Sequence, residues 1–204
     1  MDKLDLALAY DVDAHRRVNA TPADWKITER EKFLNLLIQE NNRSLLEIGA
    51  GTGTDSIYFK DNGLEVHCID LSNEMISYCK ARGLTAQVMD FYNLDFDDNS
   101  FDAVYALNCL LHVPKAEIHQ VIKEVKRVIK PEGLFYMGMY GGTDSEGIWL
   151  EDSFEPKRFF ASYSDDSLST LISQHFEEVY FNAIPLKNNS LHFQSLILKK
   201  VSIM

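Results

Sequence analysis

The chain has no hydrophobic run long enough to cross a membrane, no low-complexity segment and no repeat at a fixed period. The first absence excludes a helical membrane-spanning protein; the other two exclude a disordered or solenoid one. A secretory leader would need an apolar stretch near its start. MDKLDLALAYDVDAHRR places acids there instead, so the expected location is the cytoplasm. Cations are in deficit: 20 lysines and arginines face 31 acids, a formal net charge of −11. A domain that grips nucleic acid through phosphates needs a basic face, so DNA and RNA are disfavoured as partners. Part of the acidic excess, Asp90, Asp95, Asp97, Asp98 and Asp102, falls around one expected loop and reads as solvated surface charge. Cysteine is scarce as well. Cys68, Cys79 and Cys109 make an odd number, with no CxxC pair and no histidine at metal spacing. Cys68 and Cys109 lie in apolar, strand-like runs, which points to buried free thiols and no metal centre.

What is present suits one globular domain. The chain has 204 residues, 46% of them apolar, enough for a single core. Residues 1–40 read as helical, with Thr28-Glu29-Arg30-Glu31 as a capping box ahead of Phe33, Leu34, Leu36, Leu37 and Ile38. Strands and helices then alternate. Expected strands cover 44–50, 65–70, 85–90, 101–108 and 134–140. Expected helices cover 54–62, 72–82, 115–130 and 164–175, with Gly63 and Gly83 as stops and Ser72 or Asn73 and Ser164 as caps. The stripe Ile118, Val121, Ile122, Val125, Val128 and Ile129 marks the clearest helix, and Pro131-Glu132-Gly133 is expected to end it. Two final strands, 177–185 and 191–200, flank the hairpin signal Lys187-Asn188-Asn189-Ser190.

Five strand-then-helix units imply a parallel sheet covered on both faces, and the closing hairpin requires one reversed strand. The expected fold is therefore α/β and Rossmann-like, doubly wound. It has seven strands, mostly parallel, with one antiparallel strand near the C-terminal edge. Ligands on such sheets bind beyond the carboxyl ends of the strands, where the strand order reverses.

The chemistry concentrates in those turns. Glu47-Ile48-Gly49-Ala50-Gly51-Thr52-Gly53 ends a strand and opens a helix. Glycines there allow a tight turn and a close approach of ligand to backbone amides. Asp70 ends the second strand, 17 residues beyond Gly53, where an acid can accept from both hydroxyls of a ribose. Asp90 ends the third strand and can accept from an exocyclic amine, with Phe91 beside it to stack on a purine. A dinucleotide binder prefers a third glycine where Thr54 stands. Glu47 would also meet a pyrophosphate poorly, whereas it suits a ligand bearing an ammonium group, directly or through water.

These segments resemble the class I S-adenosylmethionine (SAM) dependent methyltransferases. LLEIGAGTG looks like the family's first motif, and VHCIDLS resembles its ribose-binding segment. MDFYNLDF resembles the adenine segment, FDAVYALNCLLHVP the fourth-strand segment, and RVIKPEGLFYM the passage into strand five, with Glu132 where a glycine is usual. The likeness covers residues 40–140. It implies SAM as cofactor, S-adenosylhomocysteine (SAH) as product and methyl transfer to a small-molecule acceptor. It implies cofactor contacts at Trp25, Glu47, Gly49, Ala50, Gly51, Gly53, Asp70, Leu71, Met75, Asp90, Phe91 and Asn108, and no metal.

His112, just after the fourth strand, is the nearest candidate general base. Residues 1–40 are expected to form a helical lid on a 41–204 core, with Trp25 as the closing aromatic. Tyr10, Arg16 and Arg17, and after strand five Tyr140, Trp149, Phe159, Phe160, Tyr163 and His192, are the candidates for the acceptor pocket. Neither nucleic acid nor membrane is an expected partner, and the chain is expected to act as a monomer or homodimer. The alternatives are a non-catalytic SAM-binding protein and an NAD-dependent oxidoreductase. Thr54 and the lack of a Tyr-x-x-x-Lys pattern count against the latter. The absence of an Asn-Pro-Pro-Tyr type sequence, with Asn108 followed by Cys109-Leu110, counts against methylation of nucleobase amines.

Overall fold

The structure is a computed structural model that describes residues 3–186 and 191–201. Two helices, α1 (Lys3–Arg17) and α2 (Asp24–Gln39), precede the sheet. The chain continues through β1 (Ser44–Ile48), α3 (Thr54–Asp61), β2 (Glu65–Asp70), α4 (Asn73–Ala81), β3 (Thr85–Val88), β4 (Phe101–Leu107), α5 (Ile118–Val128) and β5 (Ile129–Gly141). A hairpin of β6 (Ser145–Ile148) and β7 (Phe159–Ser162), then α6 (Asp165–Ser173), β8 (Glu177–Pro185) and β9 (His192–Lys199), complete it.

The main sheet runs in the order β3-β2-β1-β4-β5-β9-β8. β1 to β5 pair in parallel, and β9 runs antiparallel between β5 and β8. This is the expected seven-stranded Rossmann-like sheet with one reversed strand. Strand order reverses between β1 and β4, so the loops after those two strands flank one crevice.

Period-two burial divides the strands between two cores. On one face Ala103, Tyr105, Leu134 and Tyr136 meet Phe33 and Leu37 of α2 and Phe59 of α3. The ring of Phe33 lies 5.4–6.2 Å from those of Phe59, Tyr105 and Tyr136. On the other face Val104, Phe135 and Met137 meet Val121, Ile122 and Val125 of α5 and Leu168 and Ile172 of α6. Buried Glu29 fixes α2 a second time: it accepts from Tyr180 and Asn182 of β8 and from Ser195 of β9. Among the described residues no helix is long and apolar enough to cross a membrane.

Three local expectations need correction. α2 starts at Asp24, not at a Thr28 cap. Thr28 Oγ1 donates back to the Asp24 carbonyl within the helix, and Glu29 is occupied by the sheet. The loop expected around Asp90–Asp102 follows β3. Residues 89–100 form a loop in which Asp90 Oδ1 accepts from the Tyr92 amide, and Arg127 of α5 holds the Leu94 and Phe96 carbonyls. The Asp/Asn-rich sequence gives these turns local partners that compete with a helix.

α5 stops at Val128, and Ile129 already pairs with Phe101. Pro131-Glu132-Gly133 is therefore an irregularity inside the β5 ladder. Glu132 sits at φ +63, and a Cβ on Gly133 would lie 2.5 Å from the Asp102 carbonyl oxygen. The hairpin β6–β7 had no counterpart among the expected strands. The hairpin signal at 187–190 lies outside the described residues.

Two measurable consequences concern local anchors. Ser164 Oγ accepts from the Ser167 amide at the start of α6. Ser164→Ala is expected to cost about 1 kcal/mol, read as a lowered urea midpoint with unchanged slope. Asp102 staples the start of β1 to β4. Its Oδ2 accepts from the Arg43 and Ser44 amides and from Ser44 Oγ, each at 2.9 Å, and its Oδ1 accepts from Lys130 at 2.7 Å. Burial pushes this carboxyl up, but Lys130 and the Ser44 and Arg43 bonds outweigh it and hold it at about 2. A depressed acid stabilises the fold above its unfolded value of about 3.9 and loses that contribution as pH falls through 2. Acid unfolding of Asp102→Asn is therefore expected to be less steep between pH 4 and 2 than that of the parent.

Candidate functional site

β1 delivers the glycine loop to the crevice, with Gly49, Gly51 and Gly53 at φ +66, +54 and +75, a region that suits glycine. Their surroundings differ. A Cβ on Gly49 would lie 2.4 Å from Cys109 Cβ, and one on Gly53 would lie 2.6 Å from Leu84. Both positions serve packing. A Cβ on Gly51 would meet nothing within 4 Å, so this residue alone borders open space. Ala50 is buried, its amide bonded to the Ile69 carbonyl.

Asp70 ends β2 against this loop. Its Oδ2 accepts from the Gly51 amide at 2.8 Å and its Oδ1 from the Ser72 amide at 2.9 Å. Burial raises its carboxyl pKa despite these bonds and the field of Arg17. The Leu71 amide adds to them, and a carboxylate with about four acceptor sites still has capacity for a further donor. Leu71 is half-buried, and Met75 is buried in α4, its amide capped by Ser72 Oγ. Asn108 follows β4 at φ +56, its amide bonded to the Gly138 carbonyl. Its side-chain Oδ1 is buried and, among the described residues, has no hydrogen-bond partner.

Glu47 lies behind the loop. It is 3% exposed and accepts from Ser56 of α3. Burial, then the nearby Asp55, raises its pKa well above the ordinary range. Its immediate role is to order the first turn of α3. Phe91 is buried and stacks on Tyr92 at 5.7 Å, within the α5-side core. Asp90 pairs with Lys3 at 2.6 Å.

That pair is one of several that lay α1 across the crevice. Asp11 accepts from Ser72 Oγ and from the Glu74 amide, at the start of α4. Tyr10 reaches His112: its Oη lies 2.6 Å from His112 Nε2. The Phe159 carbonyl lies 2.7 Å from His112 Nδ1 and can only accept, so Nδ1 carries the proton and Nε2 accepts from the Tyr10 hydroxyl. Burial holds this imidazole at about 4, helped by the nearby cations Arg158 and Arg17, so it is neutral at pH 7. The wall is completed by Phe154, 5.9 Å from the Tyr10 ring, Phe160, 4.8 Å from the His112 ring, and Arg158.

α1 reaches the loops after β2, β3 and β4, whereas α2 packs on the sheet through Phe33 and Glu29 and brings Lys26 within 6.0 Å of the Tyr140 ring. Trp25 packs on Phe193 at 4.4 Å, near Tyr140. Tyr10 is the aromatic that reaches His112. Trp149 touches Phe160, while His192 pairs with Asp165 and Tyr163 lies buried on the α5 side of the sheet. Asp152, Phe154 and Arg158 were not anticipated: nothing in their sequence surroundings separates them from an ordinary loop. Among the described residues no cluster of three or more histidines, cysteines or acids could hold a metal ion, and the three cysteines are buried and free.

Residues 46–137 match the family model of a methyltransferase domain. The chain is 29% identical to the Bacillus subtilis protein YqeM over 71% of its own length and 64% of that protein's. It is 32% identical to the sterol 24-C-methyltransferase ERG6B of Gibberella zeae, over 66% of this chain but 37% of that enzyme. The chain thus spans less than two thirds of these relatives. A similar fold is that of the Burkholderia thailandensis 1,6-didemethyltoxoflavin-N1-methyltransferase, solved with 1,6-didemethyltoxoflavin and SAH. Its TM-score is 0.74 at 18% identity, covering 98% of this chain and 88% of that one.

Proposed function

We infer from the family to which this chain belongs, the class I SAM-dependent methyltransferases, that its crevice transfers a methyl group from SAM to a small-molecule acceptor. The residues present suit the cofactor. The buried, unpartnered Oδ1 of Asn108 needs a donor, which a cationic ligand supplies. Asp70 keeps acceptor capacity for a ribose hydroxyl, and Gly51 leaves room beside its backbone. Gly49, Ala50, Gly53, Leu71 and Met75 shape the loops around them. Asp90 stands at the mouth beneath Lys3, and Glu47 supports the glycine loop from behind.

Bound SAM supplies a methyl already activated on a sulfonium, so the protein's tasks are alignment, exclusion of water and removal of a proton. α1 and the β6–β7 hairpin perform the first two by closing Tyr10, Phe154 and Phe160 over the crevice. This aromatic wall suits a compact, apolar or planar acceptor.

The third task falls to His112. Its Nδ1–H is committed to the Phe159 carbonyl, so Nε2 is the basic atom, and Tyr10 Oη stands between it and the crevice. An acceptor proton passes to Tyr10 Oη as the tyrosine's own proton passes to Nε2. The observation that carries this reading is the neutral, oriented imidazole at the end of β4, beside the cofactor loops.

The test begins with the ligand. SAH at about 100 times its dissociation constant adds roughly 2.7 kcal/mol to stability and is expected to raise the melting temperature by several degrees, whereas NAD has no effect. A shift with NAD and none with SAH would overturn the assignment. SAH binding without turnover across a metabolite library would leave the non-catalytic reading in its place.

A further inference from the structure

Arg158 opens β6–β7's returning segment from a buried position, 8% exposed. Asp152, 2% exposed, grips it with both oxygens: Nε to Oδ2 at 2.7 Å and Nη2 to Oδ1 at 2.9 Å. The Arg158 amide also donates to Asp152 Oδ2, and the guanidinium lies 3.5 Å from the centre of the Phe154 ring. A planar fork held on one edge by a bidentate carboxylate and on one face by a ring has little rotational freedom. Its remaining edge points at α1: Nη1 donates to Tyr10 Oη at 3.2 Å.

We propose that Arg158 is a positioning residue that acts through Tyr10, latching α1 over the crevice and aiming the Tyr10 hydroxyl at His112. The proposal rests on the catalytic reading of Tyr10 and His112 for its purpose, though not for its geometry. A tyrosine Oη that receives one hydrogen bond from Arg158 must direct its single proton elsewhere, and His112 Nε2 is the acceptor within reach. Asp152 balances the charge of Arg158, so the fork orients Tyr10 without leaving an unpaired cation in the wall. Burial raises the Tyr10 pKa, while Arg17 and Arg158 oppose the rise, so loss of Arg158 moves that titration upward.

The test uses the intact, ligand-free protein, in which the latch is already made. Hydrogen exchange over residues 3–17 is compared in the parent, Arg158→Gln, Tyr10→Phe and the double variant. A hydrogen bond to a charged group is worth roughly a tenfold to hundredfold change in an equilibrium. Arg158→Gln is therefore expected to speed exchange in α1 by at least about tenfold. The same change made on top of Tyr10→Phe is expected to add almost nothing. Carbon-labelled tyrosine spectra supply a second readout, in which Arg158→Gln raises the Tyr10 titration midpoint.

Unchanged α1 exchange, or full additivity of the two substitutions, would show that Arg158 only ties its own loop to Asp152. If Arg158→Gln does not fold, Arg158→Lys keeps the charge but cannot serve Asp152 and Tyr10 together, and the same exchange criteria apply. A parent protein that fails to bind SAH while the variants loosen α1 would sink the methyltransferase reading and leave the latch standing.

Discussion

His112→Ala is expected to lower methyl-transfer turnover by about 10²–10⁴-fold, the usual cost of removing a general base, with SAH affinity changed by less than about twofold. The separation follows from placement. His112 bonds Tyr10 and the Phe159 carbonyl and packs on Phe160, whereas the Asp70 carboxylate bonds the Gly51 and Ser72 amides. The pH profile provides a sharper check. An imidazole in water loses its proton near 6.5, whereas here burial and neighbouring cations hold it at about 4. The acidic limb of kcat/KM is then expected near pH 4 in the parent, and to be absent in the variant.

The same shift is visible in stability. Between pH 6.5 and 4 the unfolded chain binds a proton at His112 that the folded chain refuses, so the fold weakens as pH falls through that window. His112→Ala removes that dependence. Normal turnover in the variant would reduce His112 to a packing residue and leave positioning as the whole of catalysis.

Asp70→Ala is expected to weaken SAH binding at least tenfold, from the loss of charge-assisted hydrogen bonds worth roughly 1.5–3 kcal/mol each. Because Asp70 also receives the Gly51 and Ser72 amides, the substitution releases the glycine loop as well, and the two effects must be parted. Asp70→Asn does so: its amide retains an acceptor for one backbone N–H but carries no charge for the ligand.

Gly51→Val attacks from the other side. The site of its Cβ is open, so on the proposed reading the new side chain takes up space meant for the ligand, and it strains a backbone at φ +54. Calorimetry is expected to detect no SAH binding by Gly51→Val, and circular dichroism a folded protein. Unaltered affinity in Asp70→Ala would leave that acid as the support of the loop alone.

Where the chain's local signals agree with its tertiary surroundings, the fold was legible. The glycine motif, Asp70 at the end of β2 and the α5 stripe were all readable, because each depends on backbone geometry or on one helix face. The start of α2 was not. Thr28-Glu29 satisfies a local capping rule, but Phe33 on Tyr136 of the core, and Glu29 among Tyr180, Asn182 and Ser195 more than 140 residues away, fix that helix. Pro131-Glu132-Gly133 reads as a helix stop. The β4 edge draws the chain into a strand before it arrives, and Gly133 is needed where that strand crowds Asp102. The Asp152–Arg158 fork has no periodic or motif signature. It exists because residues 10 and 158 meet across the crevice, which only the folded topology decides.

Apart from His112, the groups proposed for the two sides of the crevice come from different stretches of chain. Gly51, Asp70 and Asn108 all lie within residues 46–137, the part that matches the methyltransferase-domain model. Tyr10, Phe154, Arg158 and Phe160 lie outside it, on one segment before the sheet and one hairpin after β5. On the proposed reading, donor handling and acceptor choice are therefore separable. A chimera that keeps residues 44–141 and exchanges α1 together with β6–β7 is expected to alter what is methylated without rebuilding the cofactor loops. Exchanging either segment alone would break the match between Tyr10 and Arg158, so the two must travel as a pair.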